Sequence, residues 1–255
     1  MPNTSYLPIH LKQLLLPSMY AHWESASLQA EEQHWSYPEY LAYLADQEVA
    51  ERQQKRIDRH LRESKLPPGK TLSNFDFTKA KSVNAAQITA LAENTSWTKE
   101  AHNLIIFGPS GVGKTHLACG IAHRLIEQGV RTLFTPTTSL VQKLQQARQS
   151  YQLPEAINKL AHMPVLILDD IGYVKKDEAE TSVLFELITD RYESSSLIIT
   201  ANQPFSEWEK IFPNTSMAVA AIDRLIHHAI IINIQDESYR KPHLTTTPSK
   251  ESIML

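Results

Sequence analysis

The chain has 255 residues, of which 42% are hydrophobic and 21% are charged, and its formal net charge is −3. This balance excludes wholesale disorder, and at roughly 150 residues per domain the length allows one large domain with a smaller appendage. The charge excludes a uniformly basic coat protein but leaves room for a local basic face. A single cysteine, Cys119, excludes a disulfide framework. With no apolar run near the ~20 residues of a membrane span and no signal peptide, we expect a soluble cytoplasmic protein without a membrane partner.

The N-terminal part favours a small helical domain. Residues 24–65 contain no glycine and one proline, and apolar residues recur there at steps of three and four, which is typical of helices. Ser36 followed by Glu39 has the spacing of a capping box at the start of a helix. The prolines in residues 66–69 must end the helical run. We therefore divide the chain into an N-terminal helical domain (1–66), a lead-in (67–100), a core (101–240) and a polar tail (241–255).

A basic stripe lies in the last part of this helical domain. Between residues 52 and 70, seven Lys and Arg oppose two acids, a local charge of about +5. The spacing places most of them on one helical face, where they could bind the phosphates of duplex DNA without reading its sequence. The alternative is a solvated face, or one that pairs with acidic residues of a neighbouring subunit. The candidate DNA-binding residues are Arg52, Lys55, Arg56, Arg59, Arg62 and Lys65, with a second candidate group at Lys143, Gln146, Arg148 and Gln149.

After residue 100, short apolar runs alternate with amphipathic stretches. Near-continuous Ile, Leu and Val runs separated by helices are typical of a parallel sheet covered on both faces. The helices are clearest at 114–128 and 178–193. We therefore predict an α/β fold with a five-stranded parallel sheet of the P-loop type. The predicted strands are 104–107, 131–134, 165–169, 197–200 and 229–234.

The strongest motif is Gly-Pro-Ser-Gly-Val-Gly-Lys-Thr, which follows the first predicted strand and opens a helix. It matches the G-x-x-x-x-G-K-[ST] phosphate loop in the structural context that supports it. Its glycines let backbone N–H groups face phosphate oxygens, and the helix N-terminus adds positive potential. Lys114 would contact the β- and γ-phosphates of ATP, and Thr115 would bind Mg²⁺. We assign to nucleotide binding Gly108, Pro109, Ser110, Gly111, Val112, Gly113, Lys114, Thr115 and the adjacent His116.

Polar residues end two further predicted strands. Asp169 and Asp170 close one of them, and Asn202 follows another. Because ligands gather at the carboxyl ends of parallel strands, we expect these side chains near the phosphate loop. Asp169 would hold Mg²⁺ through water, while Asp170 would act as general base or, alternatively, cap a helix. Asn202 could bind the γ-phosphate or the attacking water, although asparagine after a strand usually serves a turn.

Four segments together resemble one family. GPSGVGKTHLA, VLILDDIG, LIITANQ and AAIDRLIHHA are similar to segments of the IstB-like helper ATPases of insertion-sequence transposition, which are relatives of DnaC helicase loaders and DnaA initiators. The N-terminal helical part is similar as well, so the resemblance covers residues 7–240. It implies an AAA+ ATPase whose ATP-bound subunits assemble as a ring or filament on duplex DNA, independently of sequence, and recruit a cognate transposase.

The resemblance also implies roles for individual residues. In such assemblies an arginine of the neighbouring subunit completes the γ-phosphate site. By the family pattern this is Arg224, with Arg191 as the rival candidate, and Arg240 is the sensor-like arginine near the nucleotide. AAA+ proteins often have Glu where Asp170 stands, whereas the IstB and DnaC relatives have Asp. We also expect the usual helical lid to be absent, which favours a slow nucleotide site that depends on assembly.

Several alternatives stay open. A DnaC-like helicase loader differs from the transposition helper chiefly in residues 1–65, and a small-molecule phosphotransferase would need an acceptor-binding insert that the sequence lacks. Phe75 and Phe77 could border the adenine or belong to the core. The eleven histidines show no metal-ligand spacing, and the adjacent His227 and His228 are expected on divergent helix faces.

Overall fold

The computed structural model describes residues 4–173, 178–204, 207–208, 215–236 and 238–239. The chain divides into two compact units, Met1–Glu63 and Ser64–Leu255. No helix in the described residues combines the length and apolar character needed to cross a membrane. Arg240, the expected sensor-like arginine, lies outside the described residues.

The N-terminal unit is helical. Its helices are α1 (Leu7–Gln13), α2 (Pro17–Glu32) and α3 (Tyr37–Ser64). The predicted capping box is confirmed at the start of α3. There the Ser36 N–H donates to Glu39 Oε2 at 2.7 Å, and the Glu39 N–H donates to Ser36 Oγ at 3.4 Å. Two N–H groups at the helix terminus are thereby satisfied, which fixes where the long helix begins.

A buried carboxylate joins α2 to α3. Glu48 lies on α3 with 4% of its surface exposed, and it accepts hydrogen bonds from the backbone N–H groups of Ser18 (2.8 Å) and Met19 (3.1 Å) in the first turn of α2. Arg52 Nε donates to its other oxygen at 2.7 Å. Although burial raises the pKa of Glu48, the bonds from Arg52, Met19 and Ser18 lower it overall. The carboxylate therefore acts as a distant N-cap for α2.

The second unit contains the predicted five-stranded parallel sheet, with strand order β2-β3-β4-β1-β5. Its helices and strands are, in chain order, α4 (Ala85–Glu93), α5 (Ser96–Lys99), β1 (Asn103–Phe107), α6 (Lys114–Glu127), β2 (Thr132–Pro136), α7 (Thr137–Gln149), α8 (Leu153–Ala161), β3 (Val165–Asp169), α9 (Glu178–Arg191), β4 (Ser196–Ala201), α10 (Thr215–Ile226) and β5 (Ala229–Asn233). Because β4 lies between β3 and β1, its carboxyl end is placed between the acidic strand end and the phosphate loop.

Helices cover both faces of this sheet. Alternate residues of a strand point to opposite faces. Ile105 and Leu166 pack with α7 to α10, whereas Leu104 and Ile167 pack with α4 and α6 on the other face. Both sets of side chains are fully buried, which explains why the strands are nearly continuous apolar runs. The polar residues that follow the strands are consequently confined to the ends of the sheet.

Candidate nucleotide-binding site

The phosphate loop joins β1 to α6 and depends on glycine at two positions. Gly108 and Gly113 have φ angles of 149° and 95°, which side chains rarely adopt. A Cβ at Gly108 would lie 2.4 Å from the backbone oxygen of Ile234, and one at Gly113 would lie 2.9 Å from the Phe75 ring. The loop can therefore fold back close to its neighbours only because both residues lack a side chain.

Lys114 opens α6 and bends back over this loop. Only 6% of its surface is exposed, and its Nζ donates to the backbone oxygens of Gly108 and Pro109, both at 2.8 Å. A buried ammonium requires such partners, since burying an unpaired charge is costly. The two carbonyls hold the cation in the concave side of the loop, where phosphate oxygens would be bound.

Asp169 is brought to the phosphate loop as the sequence predicted. Thr115 Oγ1 donates to Asp169 Oδ1 at 2.8 Å, so the hydroxyl and the carboxylate assigned to Mg²⁺ are adjacent. A residue that the sequence analysis missed, Thr200 on β4, donates to the same oxygen at 2.6 Å. The Thr137 hydroxyl holds the backbone oxygen of Asp169 at 2.9 Å. Two elements thus hold the carboxylate of Asp169, and a third holds its backbone.

Asp170 turns into the same cavity as Lys114 and Thr115. Its φ of 56° places it in the left-handed region, and its backbone N–H donates to Thr200 Oγ1 at 2.9 Å. Thr200 therefore orients both aspartates, the first through its side chain and the second through its backbone. The signal for Thr200 was present in the sequence as the last residue of an apolar strand, but only the strand order assigns it this position.

Asn202 lies beside this constellation without lining the cavity. Its Oδ1 is buried and has no hydrogen-bond partner among the described residues. It lies 2.6 Å from where a Cβ on Gly172 would be, so the glycine makes room for it next to the turn after Asp170. An unsatisfied buried acceptor is unfavourable unless something else donates to it, and a water molecule would do so.

The cavity at the loop measures about 350 Å³. It is lined by Lys70, Asn74, Phe75, Asp76, Lys79, Ser110, Gly111, Gly113, Lys114, Thr115, His116, Asp170 and Tyr239. Phe75 is buried and meets the rings of His116 and Phe77 edge to face, with centroids 5.3 and 4.8 Å away. Phe75 therefore belongs both to the core and to the cavity wall, so the two alternatives for it are compatible.

The segment after β5 crosses the loop, which the sequence did not indicate. The Tyr239 N–H donates to the Gly111 oxygen at 3.0 Å, and its hydroxyl donates to the Asp76 oxygen at 2.9 Å. On the other side of the cavity, His116 Nε2 lies 2.8 Å from the Thr71 oxygen. Backbone from both ends of the unit thus encloses the loop.

The two arginines proposed for intersubunit catalysis occupy different environments. Arg191 is 1% exposed and donates to the backbone oxygens of Leu160, Met163, Pro164 and Ser196. Such a buried side chain cannot reach a neighbouring subunit, so the rival candidate is excluded. Arg224 is partly exposed on α10, where it donates to the Ala220 oxygen at 2.8 Å and lies over the Phe185 ring. It does not line the nucleotide cavity of its own chain.

The basic stripe is only partly available for binding. Arg52 is engaged with Glu48 and the Leu15 oxygen, and Lys55 pairs with Glu51 at 2.5 Å. Despite these pairings, the side chains of Arg52 and Lys55 stay 54% and 60% exposed. Also exposed are Arg56, Arg59, Arg62 and, just after the helix, Lys65. In the second candidate group, Arg148 pairs with Glu186 and Ser182, whereas Lys143, Gln146 and Gln149 are exposed.

The expectation for the adjacent histidines is wrong. The helix α10 ends at Ile226, one residue before them, so helical geometry does not separate their side chains. The ring centroids of His227 and His228 lie 4.1 Å apart. Residues in a turn escape the rotation of about 100° per residue that a helix imposes.

Comparisons with known proteins identify the family of this chain. The sequence profile of the family described as IstB-like ATP binding protein matches residues 9–247. An insertion-sequence ATP-binding protein of Sinorhizobium fredii is 52% identical over 92% of this chain and 79% of its own. The ATP-binding protein of insertion sequence IS21 from Pseudomonas aeruginosa is 36% identical over 92% of this chain and 88% of its own.

Solved structures share the fold over about two thirds of the chain. DnaI superposes with a TM-score of 0.54 at 24% identity, over 64% of this chain and 90% of that one. AMPPCP-bound DnaA from Aquifex aeolicus gives 0.55 at 19% identity, over 67% of this chain and 51% of that one. This chain thus matches about half the length of DnaA. At these identities the likeness concerns the fold alone, and it confirms the predicted P-loop α/β architecture.

Proposed function

This chain belongs to the IstB-like ATP-binding protein family, and from that premise we propose that it is a Mg²⁺-dependent ATPase that assembles on duplex DNA and recruits a transposase. As a member of the family it is an ATP-binding protein of the AAA+ class. Its relatives are named as ATP-binding proteins of insertion sequences, which supports a role in transposition. The steps beyond nucleotide binding are argued below from the residues.

The observation that carries the proposal is the meeting of Lys114, Thr115 and Asp169 at the carboxyl edge of the sheet. Oxygen ligands are those that Mg²⁺ prefers, and the hydroxyl of Thr115 and the carboxylate of Asp169 are such ligands on adjacent elements. These two residues would hold the ion, directly or through water. Bound there, the ion would neutralise charge on the β- and γ-phosphates.

Three side chains of the chain would have separate roles in ATP hydrolysis. Lys114 exchanges its two carbonyl partners for phosphate oxygens and stabilises the charge that develops on them. Asp170 accepts a proton from the attacking water as that water bonds to the γ-phosphorus and the bond to the bridging oxygen breaks. The Oδ1 of Asn202 is buried outside the cavity, so it would act on the attacking water only through an intervening water molecule. As a hydrogen-bond acceptor it does not suit a phosphate oxygen.

Arg224 acts on the nucleotide of a neighbouring subunit in this proposal. The helix α10 leads into the amino end of β5, whereas the phosphate loop follows the carboxyl end of β1. The two ends of parallel strands lie at opposite edges of the sheet, so Arg224 and its own phosphate loop are far apart. A planar guanidinium supplied from outside would complete the site only on assembly.

DNA contact is assigned chiefly to the part of the basic stripe beyond Arg52 and Lys55, because these two charges are already paired with Glu48 and Glu51. Arg56, Arg59 and Arg62 recur at three-residue steps and lie within an arc of about 120° at 100° per residue. Side chains so placed neutralise phosphates without reading bases, which gives binding that weakens steeply with salt. Arg52 contributes less because it already holds Glu48.

The test is fluorescence anisotropy of a labelled random-sequence duplex of about 50 base pairs, in ATP and in ADP, with a matching single strand alongside. We expect cooperative duplex binding in ATP that is lost in ADP. The triple variant Arg56→Gln, Arg59→Gln, Arg62→Gln should lower the salt slope. The matched triple Lys81→Gln, Lys99→Gln, Lys159→Gln removes the same charge from other exposed positions and should bind normally. Preference for the single strand would favour a helicase loader instead.

Asp170→Asn separates assembly from hydrolysis. The variant retains the backbone conformation, since asparagine also accepts a positive φ, but it cannot take up a proton. We expect ATP hydrolysis to fall about 100-fold or more while ATP-dependent DNA assembly persists. Disassembly faster than in the unaltered protein would contradict the general-base assignment.

A further inference from the structure

Three metal-binding side chains meet at the amino edge of the sheet, away from the nucleotide cavity. Glu193 lies in the turn between α9 and β4, and His227 and His228 form the turn between α10 and β5. One ligand atom from each lies within 4.8 Å of the others, and all three side chains are exposed. The sequence analysis could not find this group because its members come from two turns separated by more than thirty residues.

We propose that Glu193, His227 and His228 form a binding site for a divalent transition metal ion of the Zn²⁺ type. Two imidazoles and one carboxylate are a donor set that suits this class of ion, with water in the fourth position. Bonds of about 2.1 Å in a tetrahedral arrangement place ligand atoms about 3.4 Å apart. The exposed side chains need small rotations to close the remaining distance.

The residues around the cluster orient the two rings. The Tyr192 hydroxyl lies 2.9 Å from His227 Nδ1, which leaves Nε2 as the metal ligand when Nδ1 carries the hydrogen. His102 stacks on His228, with ring centroids 5.3 Å apart and planes 21° apart. Such outer contacts hold ligands in place and tune the affinity of a site.

A bound ion would link the turn after α9 to the turn after α10, the helix that carries Arg224. Arg224 lies one helical turn before His227 and His228, and its guanidinium is 6.0 Å from the Tyr192 ring. Its positive charge opposes a bound dication, while Asp223 and Glu193 favour one. Metal binding therefore fixes the end of the helix on which Arg224 is carried. This inference goes beyond the proposed function and does not depend on it.

The test is a Zn²⁺ titration of the tag-free, full-length protein after EDTA treatment and buffer exchange, followed with a competing chromophoric chelator. We expect one Zn²⁺ per chain bound at micromolar or tighter dissociation constant in the presence of millimolar Mg²⁺. His227→Ala, His228→Ala and Glu193→Gln should each weaken binding at least 10-fold. Tyr192→Phe keeps every ligand and should weaken it about 10-fold through the lost orientation of His227.

His123→Ala is the matched control. His123 forms a pair with Glu127 at 3.3 Å, which offers a histidine and a carboxylate without a third metal ligand in the part of the chain that the structure describes. This variant should bind Zn²⁺ as the unaltered protein does. The proposal would be overturned if the unaltered protein showed no saturable binding below about 100 μM Zn²⁺. It would also be overturned if His227→Ala and His228→Ala both bound Zn²⁺ as tightly as the unaltered protein. Measuring ATP affinity in parallel distinguishes failure of the metal-site proposal from failure of the ATPase proposal. Circular dichroism verifies that each variant is folded.

Discussion

The two edges of the sheet use buried cations in opposite ways. At the carboxyl edge, Lys114 is 6% exposed and holds two carbonyls of the loop that its own helix follows. At the amino edge, Arg191 is 1% exposed and holds four carbonyls that come from the ends of α8, the approach to β3 and the start of β4. Burial lowers the pKa of Arg191 to about 10, which leaves it charged at neutral pH.

The difference shows what a buried charge can be used for. Four fixed carbonyls on separate elements make Arg191 a structural tie that nothing displaces. Two carbonyls on one short loop leave Lys114 ready to exchange partners when phosphate oxygens arrive. Substitutions at the two positions should therefore separate stability from ligand binding.

The largest effect is expected for Arg191→Met. The variant keeps the apolar stem but removes the guanidinium donor from four carbonyls, of which those of Leu160 and Pro164 still accept a backbone N–H. The free energy of unfolding should therefore fall by about 3 kcal/mol. Urea denaturation followed by circular dichroism measures this. Arg124→Met removes an exposed arginine paired with Glu127 and should change stability by about 0.5 kcal/mol or less. Similar losses in both variants would show that Arg191 is not a special tie.

Lys114→Ala should weaken ATP binding about 100-fold, or about 2.7 kcal/mol, because the main cation for the phosphates is lost. ATP-dependent assembly on DNA should be abolished. Isothermal titration calorimetry with ATP measures the affinity. The control, Lys79→Ala, removes an exposed lysine of the same cavity that pairs with Asp76, and its affinity should stay within about 5-fold. Assembly by Lys114→Ala at the normal level would contradict the role of the loop.

Thr200→Val tests how the two aspartates are held. Valine has the same shape, but it neither donates to Asp169 nor accepts from the Asp170 N–H. We expect ATP turnover to fall about 10-fold, which corresponds to about 1.4 kcal/mol, with little change in ATP affinity. Thr135→Val on β2 provides a matched control, since its hydroxyl bonds only weakly to the Pro136 oxygen at 3.3 Å. A parallel loss of turnover in that variant would point to general damage of the sheet.

The smallest effect concerns Glu48, a buried anion in the N-terminal unit. Because its pKa is lowered in the folded state, its contribution is fully present above the ordinary glutamate pKa of about 4.3 and is lost as the pH falls from there through the lower folded-state pKa. Glu48→Gln should lower the free energy of unfolding by about 1 kcal/mol at pH 7, and the difference between the two proteins should shrink as the pH falls below about 4.3. Hydrogen exchange of the Ser18 and Met19 amides measures this. The control Glu24→Gln changes an exposed glutamate and should leave both amides protected. If it also reduced their protection, the effect could not be attributed to the hydrogen bonds of Glu48.

Local sequence patterns predicted the strands of the sheet, whereas site residues that are far apart in the sequence could be predicted only in part. The five apolar runs correspond to the five strands, although β2 extends to Pro136 instead of ending at 134. A proline is compatible with this edge strand because its missing N–H can face away from the sheet. Lys114, Thr115 and Asp169 were found because each belongs to a motif with local spacing.

Residues that act through long-range contacts were missed. Thr200 becomes significant only when β4 is known to lie between β3 and β1, and Tyr239 reaches Gly111 across more than 120 residues of chain. The cluster of His227, His228 and Glu193 similarly depends on two turns that the sheet brings together. Spacing along the chain carries no information on such encounters, since the tertiary fold sets them.

The left-handed backbone of Asp170 has a consequence for how this site can vary over evolutionary time. Short polar residues such as aspartate and asparagine adopt a φ of 56° more readily than those with longer side chains. A glutamate can adopt this conformation, as Glu193 does with a φ of 55°, but it does so less readily than aspartate and its side chain reaches farther. We therefore expect a lineage that acquires Glu at this position to change the residues of the turn as well.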